Sequence, residues 1–199
     1  MRKRRIKEII VMIVLLVLLS VACGSNQDED SAKKDNAEQN VEDASVEQSV
    51  SKEKPFGNFQ SETLEGEEIT QEVFSNSNLT MVNIWGTFCG PCIQEMPELG
   101  ELSREYADQG LQIIGMLCDV EEAGDETALE IVEKTQADYP HIVASMGLKL
   151  GILNEVYAVP TTIFVDQEGN QIGEVYSGAR DKEGWTEVIE ELLKQVKKE

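Results

Sequence analysis

Positive charge is scarce in this chain of 199 residues: 17 Lys and Arg stand against 38 Asp and Glu, for a net charge of -21. Phosphate contacts need Lys and Arg, so the balance excludes non-specific nucleic-acid binding. It equally excludes a basic patch resting on anionic lipid. Cysteine is sparse too. Cys23, Cys89, Cys92 and Cys118 are too few for a disulfide-stapled scaffold, and together with the single histidine, His141, they lack the spacing of a zinc site. No apolar run reaches the ~20 residues of a membrane-spanning helix. Aromatic residues are missing before Phe56, so no hydrophobic core is expected ahead of it.

The ends of the chain differ from its body. Arg2, Lys3, Arg4, Arg5 and Lys7 precede an apolar run from Ile9 to Leu19, which is the size of the hydrophobic region of a secretory signal. The run leads through Val21-Ala22 to Cys23 and then to Gly24-Ser25-Asn26. This order resembles a bacterial lipoprotein signal, in which a small residue precedes a cysteine that is lipidated and becomes the new N-terminus. The position three before the cysteine is usually Leu and is Ser20 here. The resemblance implies a signal peptide over 1–22, lipidation of Cys23 with palmitate among its acyl chains, and attachment to the extracytoplasmic face of the cell membrane. An ordinary signal with an incidental Cys23, or an uncleaved anchor, is the alternative. Residues 23–54 are rich in Ser, Asn, Gln, Asp, Glu and Lys. They bury too little apolar surface to offset ordering entropy and read as a disordered acidic tether.

Residues 55–199 read as one domain of alternating strands and helices, an α/β sandwich with a mixed sheet. Phe59 to Ile69 suggests a hairpin around Glu65-Gly66. Leu79–Trp85 and Leu111–Cys118 are near-continuous apolar runs, as expected of strands covered on both faces. Between them a helix starts near Pro91, with Leu99, Leu102 and Tyr106 on one face, and stops at Gly110. Thr127 to Glu130 reads as a capping box opening a helix to about Ala137. Short strands follow at 142–144 and 161–165. The second forms a hairpin through Glu168-Gly169-Asn170 with 171–176. A last helix after Asp181 carries the stripe Trp185, Val188, Ile189, Leu192, Leu193 and Val196.

The chemistry is expected at Cys89-Gly90-Pro91-Cys92, after a buried strand and at the start of a helix. There, unpaired backbone N–H groups and the helix dipole favour a thiolate, which makes Cys89 the nucleophile. Cys89 attacks a substrate disulfide and Cys92 resolves the mixed disulfide. Pro91 fits the first helical turn, where its missing N–H has no partner to lose. Half a zinc site or a structural disulfide are the rival readings.

The residues Trp85-Gly-Thr-Phe-Cys-Gly-Pro-Cys92, Glu95-Met96-Pro97 and Ala158-Val159-Pro160-Thr161-Thr162-Ile163-Phe164-Val165-Asp166 resemble the thioredoxin superfamily. They are most similar to its membrane-tethered TlpA/ResA-like thiol-disulfide oxidoreductases. The resemblance covers about residues 56–197. It implies a thioredoxin-like sandwich with a central mixed sheet flanked by helices, an N-terminal hairpin and a TlpA-like insertion at Asp119–Ala144. It also implies a redox-active Cys89–Cys92 disulfide, a cis Pro160 facing it, and client binding through the backbone of Val159. Trp85 reads as a wall beneath the cysteines that helps bind the client, or as plain core. The resemblance implies no cofactor and no metal. The partners it implies are exported proteins with disulfides and a membrane electron donor of the CcdA/DsbD type.

Asn83 stands where thioredoxin has a buried Asp, and Asn cannot ionise. Glu95, at i+3 from Cys92, is the candidate proton acceptor, and it matches the acidic residue of the C-x-x-C-x-x-E-x-P pattern. Phe88 replaces the Trp that usually precedes the first cysteine. Cys118 reads as a small core residue, with a third redox cysteine as its alternative, and His141 as structural. The function expected is reduction of disulfides in exported proteins. The rivals are a disulfide-forming oxidant, a peroxiredoxin-like peroxide reductase and a non-catalytic binding lipoprotein. The peroxide reductase would have Thr three before the reactive cysteine, where this chain has Gly86.

Overall fold

The structure is a computed structural model that describes residues 53–197. The signal-like segment 1–22, Cys23 and residues 24–52 lie outside the described residues. Seven strands form one mixed sheet: β1 Gln60–Thr63, β2 Glu68–Thr70, β3 Leu79–Trp85, β4 Leu111–Leu117, β5 His141–Val143, β6 Thr161–Val165 and β7 Gln171–Ser177. Their order across the sheet is β2-β1-β5-β4-β3-β6-β7. β3, β4 and β5 run parallel, joined by helical crossovers, while β1, β2, β6 and β7 pair antiparallel. The expected N-terminal hairpin is β1–β2, and the second expected hairpin is β6–β7.

β3 lies inside the sheet between β4 and β6, and all of its residues are buried. Side chains alternate across a strand. Leu79, Met81 and Trp85 therefore face one layer, with Leu99 and Leu102 of α1 (Gly90–Tyr106), Ala128 of α2 (Glu126–Thr135) and Trp185, Ile189 and Leu192 of α4 (Lys182–Val196). Val82 and Ile84 face the other layer, with Phe74 and with Leu148 of α3 (Met146–Leu150). Asn83 is on the α1 face by the same alternation, and it is fully buried. That placement decides its role. α4 is too short to hold by propensity alone. Its buried Trp185, Ile189, Leu192 and Leu193 stabilise it by roughly 2 kcal/mol each.

Two local expectations change. The cap of α2 is Asp125, whose carboxylate accepts from the Ala128 N–H at 2.9 Å, so the helix opens two residues before the expected capping box. Segment 146–155, where no element was expected, folds as α3 and a 3-10 turn at Ile152–Glu155. It carried no amphipathic signal because α3 buries only Leu148, leaving Met146 and Leu150 outside.

Candidate functional site

β3 delivers the chain to the site through Gly86-Thr87-Phe88. The Asp119 carboxylate, just past β4, anchors this turn by accepting the Thr87 N–H at 3.0 Å and its hydroxyl at 2.6 Å. Cys89 is the N-cap of α1, and its Sγ accepts the Cys92 N–H at 3.2 Å. Pro91 lies in the first turn. The two cysteines are joined by a disulfide, with Cα atoms 5.3 Å apart. Cys89 keeps 5% exposure and Cys92 has none, so an attacking sulfur has access at Cys89. The unpaired N–H groups of the helix start favour a thiolate there once the pair is reduced.

The Val159–Pro160 peptide is cis. Its Val159 carbonyl oxygen lies 3.5 Å from Cys89 Sγ, and the Pro160 carbonyl accepts from the Gly178 N–H at 2.8 Å. The loop of β6 thus faces the cysteines, as the sequence motifs imply. Beside it a groove of about 430 Å³ is lined by Phe88, Cys118, Leu153, Val156, Tyr157 and Val159. Phe88 and Tyr157 are strongly exposed. Cys118 is unpaired and half-buried in this groove, and burial, with the charge of Asp119, pushes its thiol pKa up.

Glu95 lies one turn beyond Cys92 on α1, and only 3% of it is exposed. Its Oε1 accepts from Asn83 Nδ2 at 2.9 Å. Its Oε2 accepts from the Arg180 backbone N–H at 3.1 Å and from the Trp185 indole N–H at 3.3 Å. Burial pushes its carboxyl above the ordinary range, and the charge of Glu98 adds to this. The three hydrogen bonds pull the other way. The outcome is a buried acid that exchanges a proton nearer neutrality than a surface glutamate does. Asn83 Nδ2 also donates to Thr162 Oγ1 at 3.1 Å. Sequence reasoning missed Thr162, Arg180 and Trp185 here. Trp185 was legible as core, but its indole N–H, which needs a partner when buried, was the one signal of a second role.

Trp85 is wholly buried on the α1 face of β3, in one apolar cluster with Cys89 and Cys92, so it packs beneath the pair as core and offers no exposed surface to a client. Its indole N–H donates to His141 Nδ1 at 3.2 Å, and His141 Nε2 donates to the Ala137 carbonyl at 2.9 Å. Burial lowers the His141 pKa. Both ring nitrogens are engaged, so His141 is structural and offers no free ligand atom. Gly86 bears on the peroxide-reductase reading. A Cβ there would lie 2.7 Å from the Phe88 ring and 3.2 Å from Cys118 Sγ. A threonine at this position would have to displace the Phe88 ring.

Comparison with known proteins agrees with this geometry. The AhpC/TSA family matches residues 53–171. The thiol-disulfide oxidoreductase ResA of Halalkalibacterium halodurans is 34% identical over 143 residues, covering 71% of this chain and 75% of that protein. ResA of Bacillus thuringiensis subsp. konkukian is 31% identical over 147 residues, covering 74% of this chain and 78% of that protein. Among solved structures, a thiol:disulfide interchange protein of the thioredoxin family from Chlorobium tepidum superposes with a TM-score of 0.59 at 21% identity. It covers 68% of this chain and 93% of that one, a likeness of fold.

Proposed function

The chain belongs to the AhpC/TSA family and is a thiol-disulfide oxidoreductase of the ResA type, and from that premise we propose that it reduces disulfides of exported proteins while tethered to the membrane. Lipidated Cys23 is the anchor, and residues 24–54 are the spacer. In the cycle, the Cys89 thiolate attacks a client disulfide and releases one client thiolate. Cys92 then gives its proton to Glu95 and attacks Cys89 Sγ, releasing the second client thiolate. The client ends with two thiols and this protein with the Cys89–Cys92 disulfide. The client thiolates take one proton from Glu95 and one from solvent, and a membrane donor of the CcdA/DsbD type returns two electrons and the proton of Cys92. The client chain lies along Val159 and Pro160.

One observation carries the exchange step: a buried carboxylate stands one turn behind the resolving cysteine. A protein that starts from its dithiol needs a base for Cys92, and Glu95 is the group placed to be one. The reduction potential of the full chain tests the direction. A value near about -270 mV is expected, and one near about -120 mV would replace the reductase by an oxidant. Cys92→Ser should trap mixed disulfides with clients through Cys89. Cys23→Ala should abolish labelling by fatty acid, and label retained in that variant overturns the anchor.

A further inference from the structure

The carboxylate of Glu95 has three hydrogen-bond donors, and they are not equivalent. The Arg180 backbone N–H and the Trp185 indole N–H, both on Oε2, are donors only. Neither can accept a proton, and an oxygen that carries one keeps less room to accept, so a proton arriving at Oε2 would cost at least one of these bonds. Oε1 has the Asn83 side chain, and an amide carries a donor at one end and an acceptor at the other. Asn83 is wholly buried and its Oδ1 has no partner. A buried polar atom without a partner calls for an explanation. The second contact of the amide is Thr162 Oγ1, a hydroxyl that can accept or donate by rotating.

We infer that Asn83, with Thr162, is a positioning residue that holds Glu95 in both of its protonation states by turning its amide over. When Glu95 is ionised, Nδ2 donates to Oε1 and to Thr162, the arrangement observed. When the proton of Cys92 reaches Oε1, a half-turn of the amide brings Oδ1 to face it. Oδ1 then accepts the Glu95 O–H and the Thr162 O–H, and Nδ2 takes the place with no partner. One end of the amide is unpaired in each state, the oxygen when Glu95 is ionised and the N–H groups when it is protonated, and the charge-assisted bond favours the ionised state. The role deepens the reading of Glu95 as proton acceptor and rests on it.

The other groups facing Glu95 do not supply this function. Glu98 on α1 and Tyr139 before β5 interact with it only through charge. The Arg180 guanidinium is turned away over the Tyr176 and Trp185 rings, at 5.0 and 5.5 Å. Asp181 is committed to the Gly184 N–H at 2.9 Å.

Nuclear magnetic resonance on the reduced full chain in detergent tests the inference without a substitution. A coupling through the hydrogen bond from Asn83 Nδ2 to the Glu95 carboxyl carbon is expected above the titration midpoint of Glu95 and should vanish below it. A coupling that persists on both sides of the midpoint overturns the inference. Asn83→Leu removes both ends of the amide. The ionised form then loses the stronger, charge-assisted bond, so the Glu95 midpoint should rise, by about fivefold in proton affinity. The acidic limb of the disulfide-exchange rate should move with it, while alkylation of Cys89 is unchanged. A midpoint that stays in place in Asn83→Leu, while Glu95→Gln slows exchange, overturns the role of Asn83 alone. An exchange rate untouched by Glu95→Gln instead removes the base, whatever Asn83 does.

Discussion

Asn83 and Trp85 sit two residues apart on one face of β3, and each hydrogen-bonds a buried titratable side chain. Asn83 meets Glu95, and Trp85 meets His141. The partners of His141 have fixed polarity: the indole N–H can only donate to Nδ1, and the Ala137 carbonyl can only accept from Nε2. A second proton on that ring would oppose the indole donor, and burial opposes it as well. The ring is locked neutral in one tautomer. Glu95 differs on one oxygen only, where its partner is an amide with two ends. Similar burial thus gives a structural pair in one case and a proton-handling group in the other. What decides is whether any neighbour can change from donor to acceptor.

The largest effect is expected where the locked pair is crowded. A Cβ at Gly115 of β4 would lie 2.1 Å from His141 Nδ1 and 3.0 Å from Trp85 Nε1, inside the hydrogen bond itself. Gly115→Ala must push the imidazole out of its seat. Overpacking and the lost bonds together should cost about 3 kcal/mol or more, read as a lower urea midpoint. Unchanged stability would mean the histidine is loosely held.

Trp85→Phe comes next. It keeps the ring and removes the N–H, leaving Nδ1 buried without a donor, for a loss of about 1–3 kcal/mol. The KM for a client disulfide should not change, because the side chain is buried. A raised KM at normal stability would restore Trp85 to the client-binding surface.

The same contrast shows how much the sequence could tell. Strands were legible wherever apolar runs were dense, as in Leu79–Trp85, and the cysteine pair was legible because its spacing and helix-start position carry the chemistry. Glu95 was legible from its position one turn beyond Cys92. Its partners were not. Arg180 contributes a backbone N–H, which any residue could supply, and Trp185 comes from a helix 90 residues away. Asn83 was read as a group that cannot ionise, which is correct. The use of its two-ended amide depends on a neighbour that only the fold brings near. Trp85 was left between wall and core for a similar reason: nearness to Cys89 along the chain does not show which face of β3 a side chain takes.

The smallest effects are in the pH dependence of stability, where the two groups act in opposite directions. His141 has its pKa lowered from an ordinary 6.5, so its contribution is present above that pH and is lost as pH falls below it. Glu95 has its pKa raised from an ordinary 4.5, so its contribution is full below that pH and is lost as pH rises through the folded-state value. Between these limits the two slopes partly cancel in the native protein, and a flat profile would conceal both. Glu95→Gln separates them. The glutamine oxygen can still accept from Arg180 and Trp185, and its amide can donate to Asn83 Oδ1 once the Asn83 amide has turned over. Stability at pH 7 should change by less than about 1 kcal/mol, because both ends of the new amide find partners. The urea midpoint should then fall more steeply with acidification than in the native chain, since only the histidine slope remains. If the two proteins have parallel profiles from pH 7 to pH 5, the Glu95 carboxyl titrates alike when folded and unfolded, and its burial does not set its proton affinity.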